Sequence, residues 1–180
     1  MSAQKFNGRF LCHSSENFEE YLKECGFGYF LRKAAVNMSV TLDIRNQGKR
    51  WTITQESTFK TISQEFELDK EFEETTADGR KFMTLVTFTP NTVQVGSPVK
   101  TIRPGRPRPA PSGPMPFCGS YREKFDIIST AFILIQRQRK IKDTDKDCLI
   151  TRYLEDDDTL VIVIEYGSVT AKRIFKRIRS

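Results

Sequence analysis

From Val40 onward apolar residues recur at every second position in short runs, a period that buries one face of a strand and not one face of a helix. The runs fall at 40–45, 51–55, 59–66, 71–75 and 81–88, then at 132–137, 148–154, 160–164 and 169–178. Asn46-Gln-Gly48, Asp78-Gly79, the acidic turn Glu155-Asp-Asp-Asp158 and Gly167 separate them, and these are hairpin signals. With residues 5–12 as a first strand the count reaches about ten, which predicts a barrel or a sandwich. A closed ten-stranded barrel has no free edge and is wide enough to enclose a small ligand.

Between the first strand and Val40 the period is different. Residues 14–25 predict an amphipathic helix, because Phe18, Tyr21, Leu22 and Cys25 recur at i, i+3, i+4 and i+7, with a Ser at the N-cap and Gly26 just past the end. A second helix is predicted over Tyr29–Val36 after a short glycine-containing turn. The pair forms a helix-turn-helix with an apolar underside.

The chain of 180 residues is expected to form one domain, 1–180, interrupted at about 91–130. All eight prolines lie between Pro90 and Pro116, and such a segment can neither donate ladder hydrogen bonds nor bury a core. It reads as a solvated, disordered, partly polyproline-like loop or as a fault of gene assembly. Of the net charge of +6, a surplus of four falls in this segment: Lys100, Arg103, Arg106, Arg108, Arg122 and Lys124 stand against Glu123 and Asp126. Arg108-x-x-Pro111-x-x-Pro114 matches a polyproline ligand of SH3-type domains, and Pro104-Gly-Arg-Pro-Arg-Pro matches part of a minor-groove AT-hook. A protein- or DNA-interaction module acting through the segment is therefore the alternative reading.

Other functions lack their parts. No run approaches the ~18 apolar residues of a membrane span, and the N-terminus has no apolar signal segment, so the chain is expected to stay inside the cell. Cys12, Cys25, Cys118 and Cys148 are scattered and His13 is the single histidine, which argues against a metal site and a disulfide framework. With no nucleophile beside a base and no phosphate loop, no enzyme and no cofactor are expected.

The last strand carries the chemistry. Alternation puts Arg173 and Phe175 on one face and Lys172, Ile174 and Lys176 on the other. If Ile162 and Ile164 face inward, Arg173 enters an apolar cavity, and Arg152, alternating with Ile150 and Leu154, approaches from a neighbouring strand. Two interior guanidiniums need an anion, and their planar forks match a carboxylate. A fatty acid supplies both a carboxylate and an acyl tail for the apolar walls.

Gly8-x-Phe10, Ser15-Glu-Asn-Phe-Glu-Glu-Tyr-Leu-Lys-Glu, Gly26-x-Gly28, Arg32-Lys33, Glu56-Ser-Thr-Phe-Lys60, Glu71-Phe-Glu-Glu-Thr, Asp78-Gly-Arg-Lys81 and Val169-Thr-x-x-Arg-x-Phe, taken in order, resemble the cytosolic fatty acid-binding proteins. The resemblance covers nearly everything except 91–130. It implies an all-β fold, a ten-stranded antiparallel barrel of the β-clam type capped by the helix-turn-helix, with the Pro/Arg-rich loop in place of a tight turn between two strands. It further implies an intracellular carrier of a long-chain fatty acid or similar carboxylate lipid, bound without covalent attachment. The carboxylate site maps onto Arg152, Arg173 and Phe175, the last standing where the family's fatty-acid binders usually have Tyr. Phe18, Tyr21, Leu22, Phe27, Leu31 and Ala35 are implied to line the cap side of the cavity, and Phe59 to sit at the portal. Phe10 replaces a common Trp and Cys12 an aliphatic residue, both expected to affect packing more than function. Lys23, Arg32 and Lys33 match positions that meet anionic membranes or serve nuclear import. A cytoplasmic, in some cases also nuclear, monomer with no nucleic-acid partner is expected.

Overall fold

The structure, a computed structural model, describes residues 3–92 and 130–179. A 3-10 turn at Ala3–Phe6 leads into β1 (Gly8–Glu16), followed by α1 (Phe18–Glu24) and α2 (Tyr29–Val36). Nine further strands complete the chain: β2 (Val40–Gln47), β3 (Arg50–Ser57), β4 (Thr61–Glu67), β5 (Phe72–Thr75), β6 (Lys81–Thr92), β7 (Thr130–Lys140), β8 (Cys148–Leu154), β9 (Thr159–Tyr166) and β10 (Val169–Arg177). All pair antiparallel in one sheet, in the order β4-β3-β2-β1-β10-β9-β8-β7-β6-β5. The sheet is a meander whose first and last strands close on each other. It is not fully closed, because β4 and β5 are its two ends and do not pair. The connection between them bonds elsewhere: the Leu68 amide donates to the Lys49 carbonyl at 2.8 Å and the Asp69 amide to the Val86 carbonyl at 2.9 Å.

The helix expected over 14–25 begins later. Ser14, Ser15 and Glu16 pair with Ile174, Arg173 and Lys172 after an irregularity in the ladder at Cys12 to Ser14, so they extend β1. Asn17 then turns the chain in the left-handed region (φ 54), a conformation that Asn tolerates well, and holds the N-cap position of α1 without a side-chain capping bond. Glu19 and Glu20 in the first turn and Lys23 in the last complement the helix dipole. Tyr21 of α1 meets Tyr166 edge-on at 6.1 Å, the Asn17 side-chain amide donates to the Thr170 carbonyl at 3.4 Å, and Lys146 pairs with Glu24. Helix α1 is thereby fixed to the barrel. Helix α2 buries no residue.

The opposite end is filled with rings. Phe6 meets Trp51 at 5.9 Å and Phe88 at 5.8 Å, and Phe88 stacks on Phe132 at 5.2 Å. Phe10 is fully buried beneath the Arg177 guanidinium at 4.4 Å. That guanidinium donates to the carbonyls of Asn7 at 2.6 Å, Lys5 at 2.7 Å and Asp157 at 2.8 Å, tying both ends of the chain together. Gly8 (φ 142) leaves the space it uses, since a Cβ there would lie 2.3 Å from Arg177 Nη1.

Strand β6 runs through Pro90, and β7 pairs with it up to Thr92 opposite Thr130. Proline is tolerated there because β5 pairs only with residues Lys81 to Thr84 of β6, leaving the other edge of the strand without a ladder at Pro90. The rest of the Pro/Arg-rich segment, including both short interaction motifs, lies outside the described residues.

Candidate functional site

Between the aromatic plug and the helices lies a cavity of about 540 Å³. Phe18, Tyr21, Leu22, Phe27 and Ala35 line it from the cap side. Ile150, Arg152, Ile162, Ile164, Arg173 and Phe175 line it from β8, β9 and β10, as the alternation of those strands requires. Leu31, expected on the cap side as well, does not line it: it is 64% exposed, although Ala35 one turn further along α2 reaches the cavity. Phe59 is 79% exposed on the turn between β3 and β4.

Arg152 and Arg173 are 9% and 7% exposed, yet their surroundings differ. Arg152 Nη1 donates to Gln136 Oε1 at 2.8 Å, and its Nε is buried without a partner. Gln136 passes the contact on: its Nε2 donates to Glu74 Oε2 at 2.7 Å, and the Thr84 hydroxyl donates to the same oxygen at 2.7 Å. The amide of Gln136 is thus held between a donor and an acceptor, which fixes its orientation. Burial pulls the Arg152 guanidinium down to about 10, with Glu74 and then Cys148 working in the opposite direction.

Arg173 Nε donates to Ser15 Oγ at 3.2 Å and its Nη2 to Cys12 Sγ at 3.2 Å. Its guanidinium lies between two rings, 4.2 Å from the centre of Phe18 and 5.1 Å from that of Phe175. Among the described residues no carboxylate pairs with it. Cys12, expected to affect packing more than function, is therefore part of the arginine's support. Phe175, at 1% exposure, brings a ring face and no hydroxyl.

Glu74, Thr84 and Gln136 were not among the expected site residues. Each nonetheless occupies an inward position of its strand: Glu74 stands two beyond Phe72, Thr84 two beyond Phe82, and Gln136 two beyond Leu134. The signal was a polar residue on a face of large apolar ones. Two of the three basic cap residues have partners within the protein. Arg32 is turned back onto the protein, donating to the Phe27 carbonyl at 2.7 Å, and both it and Lys33 pair with Glu19, at 3.9 Å and 2.7 Å. The outer surface of α2 also exposes Tyr29, Phe30 and Leu31 beside Lys33.

A capped antiparallel barrel around a half-apolar cavity with two interior arginines defines a small carrier-type binding protein rather than a solid β-barrel. The sequence model of the Lipocalin / cytosolic fatty-acid binding protein family matches residues 7–95. The chain belongs to this family. It is 37% identical over 175 residues to fatty acid-binding protein homolog 6 of Caenorhabditis elegans, covering 97% of this chain and 98% of that protein. Homolog 5 of the same organism is 36% identical over 177 residues, covering 98% and 99%. The crystal structure of apo lipid binding protein 8 of Caenorhabditis elegans superposes with a TM-score of 0.72 at 31% identity, covering 99% of both chains.

Proposed function

We propose that this protein binds one long-chain fatty acid, or a lipid with a similar carboxylate, and carries it within the cell as a monomer. The observation that carries the reading is Arg173: a buried guanidinium on the wall of a 540 Å³ cavity, with no carboxylate among the described residues paired to it. A fatty-acid head group completes that charge, with Arg152 beside it, while the tail runs along Ile150, Ile162, Ile164 and the cap residues. Each methylene taken out of water contributes ~0.8 kcal/mol, so a tail of about fourteen contributes roughly 11 kcal/mol before ordering is subtracted. The family and the two full-length relatives, named for fatty-acid binding, support the same reading. No observation supports the protein- or DNA-interaction alternative.

The test is displacement of a fluorescent fatty-acid probe from delipidated protein, with mass spectrometry of the lipid that co-purifies. Saturable displacement by palmitate or oleate, and a carboxylate lipid in the mass spectrum, are expected; no displacement by either would end the carrier reading. Contact with membranes is assigned to α2, on the exposed Phe30 and Leu31 with Lys23 and Lys33 nearby in sequence. Binding to anionic vesicles that survives Phe30→Ser and Leu31→Ser substitution would place the contact elsewhere.

A further inference from the structure

The charged groups bordering the cavity can be matched one against another. Arg80 pairs with Asp78 at 2.7 Å, Glu73 with Lys81 at 2.7 Å, and Glu65 with Arg50 at 4.0 Å. Arg152 is matched by Glu74, not directly but through the side chain of Gln136, whose two ends hold guanidinium and carboxylate at 2.8 Å and 2.7 Å. Gln136 is 1% exposed and Thr84 fully buried, so water does not stand in for either contact. Arg173 alone is left over. The head-group end of the cavity thus carries two guanidiniums and one built-in carboxylate, a net charge of one.

We propose that Glu74 is the residue that sets this charge, and that it makes the cavity selective for lipids with a single negative charge over dianionic ones such as long-chain phosphate monoesters. The inference rests on the carrier reading and deepens it. A monoanion entering beside Arg173 brings the buried site to neutrality. A second negative charge would have only Arg152 to meet, and Arg152 is already matched. In a desolvated site an uncompensated charge is the costliest arrangement, since at an effective dielectric constant of ~20 unit charges a few ångströms apart still interact by several kcal/mol. Glutamine at position 74 keeps an oxygen able to accept from Thr84 and Gln136 but removes the charge, which frees Arg152 for a second anionic oxygen.

Palmitate and hexadecyl phosphate provide the comparison, the latter a dianion at pH 8.5 and mostly a monoanion at pH 5, because the second pKa of a phosphate monoester is about 6. Calorimetric titration of the delipidated wild-type protein at pH 8.5 should favour palmitate by about tenfold or more, and Glu74→Gln should shift that ratio toward hexadecyl phosphate by about tenfold. Glu74→Asp should retain most of the wild-type preference. At pH 5, where hexadecyl phosphate is mostly a monoanion, Glu74→Gln should move the ratio of the two lipids far less than at pH 8.5. A ratio that Glu74→Gln leaves unchanged at pH 8.5 overturns the inference, as does a loss of affinity equal for both lipids, which is what a merely structural role produces. The wild-type protein alone gives a second reading should the variant not fold: its affinity for hexadecyl phosphate relative to palmitate must fall between pH 5 and pH 8.5, and a flat or rising ratio refutes the charge count. If wild-type protein binds palmitate but shows no such selectivity, this inference fails alone; if it binds no palmitate, the carrier reading fails and takes the inference with it.

Discussion

Replacing Arg173 with glutamine separates a ligand-binding arginine from a structural one, because the two roles give opposite signs in two measurements. In the unliganded protein the Arg173 guanidinium is 7% exposed and held by Ser15 Oγ, a weakly accepting Cys12 thiol and two ring faces. Each cation–π contact contributes about 0.5–1 kcal/mol, while a buried ion without a counter-charge carries a penalty of several kcal/mol. Glutamine can keep the bond to Ser15 and discard the charge, so delipidated Arg173→Gln should be as stable as wild type or more so. Affinity should move the other way. Truncating one partner of a buried charge pair costs about 2–5 kcal/mol, and because Arg152 remains, the lower part of that range applies: 2–3 kcal/mol, or roughly 30- to 150-fold in Kd. Palmitate titration by calorimetry and urea unfolding of delipidated protein followed by tryptophan fluorescence would measure both, Trp51 being the chain's single Trp. A variant that loses several kcal/mol of stability while binding palmitate normally would show that the guanidinium serves the fold and that the head-group assignment is mistaken.

Phe175→Tyr restores a hydroxyl beside the carboxylate on a ring that lines the cavity, and a hydrogen bond to a charged group contributes about 1.5–3 kcal/mol, so about tenfold tighter palmitate binding is expected; weaker binding would mean that the ring has no room for the oxygen. Replacing residues 93–129 with a short glycine-containing turn between Thr92 and Thr130, which already face each other across the ladder, should leave palmitate affinity within about twofold. By loop-closure entropy the shortened protein should gain up to about 2 kcal/mol in urea unfolding, and abolished binding would instead assign ligand recognition to that segment. Burial, with a smaller contribution from Cys25, pushes the Cys148 thiol up to about 12, leaving about one thiolate in ten thousand at pH 8. Peptide mapping after brief treatment with a thiol reagent should therefore find Cys148 unlabelled in folded protein and labelled in guanidinium, and fast labelling of the folded protein would refute its burial.

What the sequence disclosed and what it hid divide along a physical line. Helix α2 and strand β8 have the bounds that local signals indicate, since each is delimited by its own turn residues and period. The start of α1 does not, because Ser14, Ser15 and Glu16 carry good helix-start chemistry and are claimed instead by β10, more than 150 residues away. No local pattern contains that competition. Leu31 shows the same limit from another side: the resemblance groups it with Phe27 and Ala35, which line the cavity, yet the seating of α2 leaves Leu31 exposed.

The site follows the same division. Strand alternation sends Arg152 and Arg173 inward only on the condition that Ile162 and Ile164 face the interior, and the family resemblance supplied that condition. It could not make them unequal. The difference arises from Glu74 on a four-residue strand, read through Gln136 across 62 positions of sequence, while nothing comparable reaches Arg173. Glu73 and Glu74 look alike as neighbours in a charged run. Register sends one out to Lys81 and the other in toward Gln136 and Thr84, and a slip of one residue would exchange them. The charge that a ligand must supply is therefore fixed by the register of β5, the shortest strand and one end of the sheet.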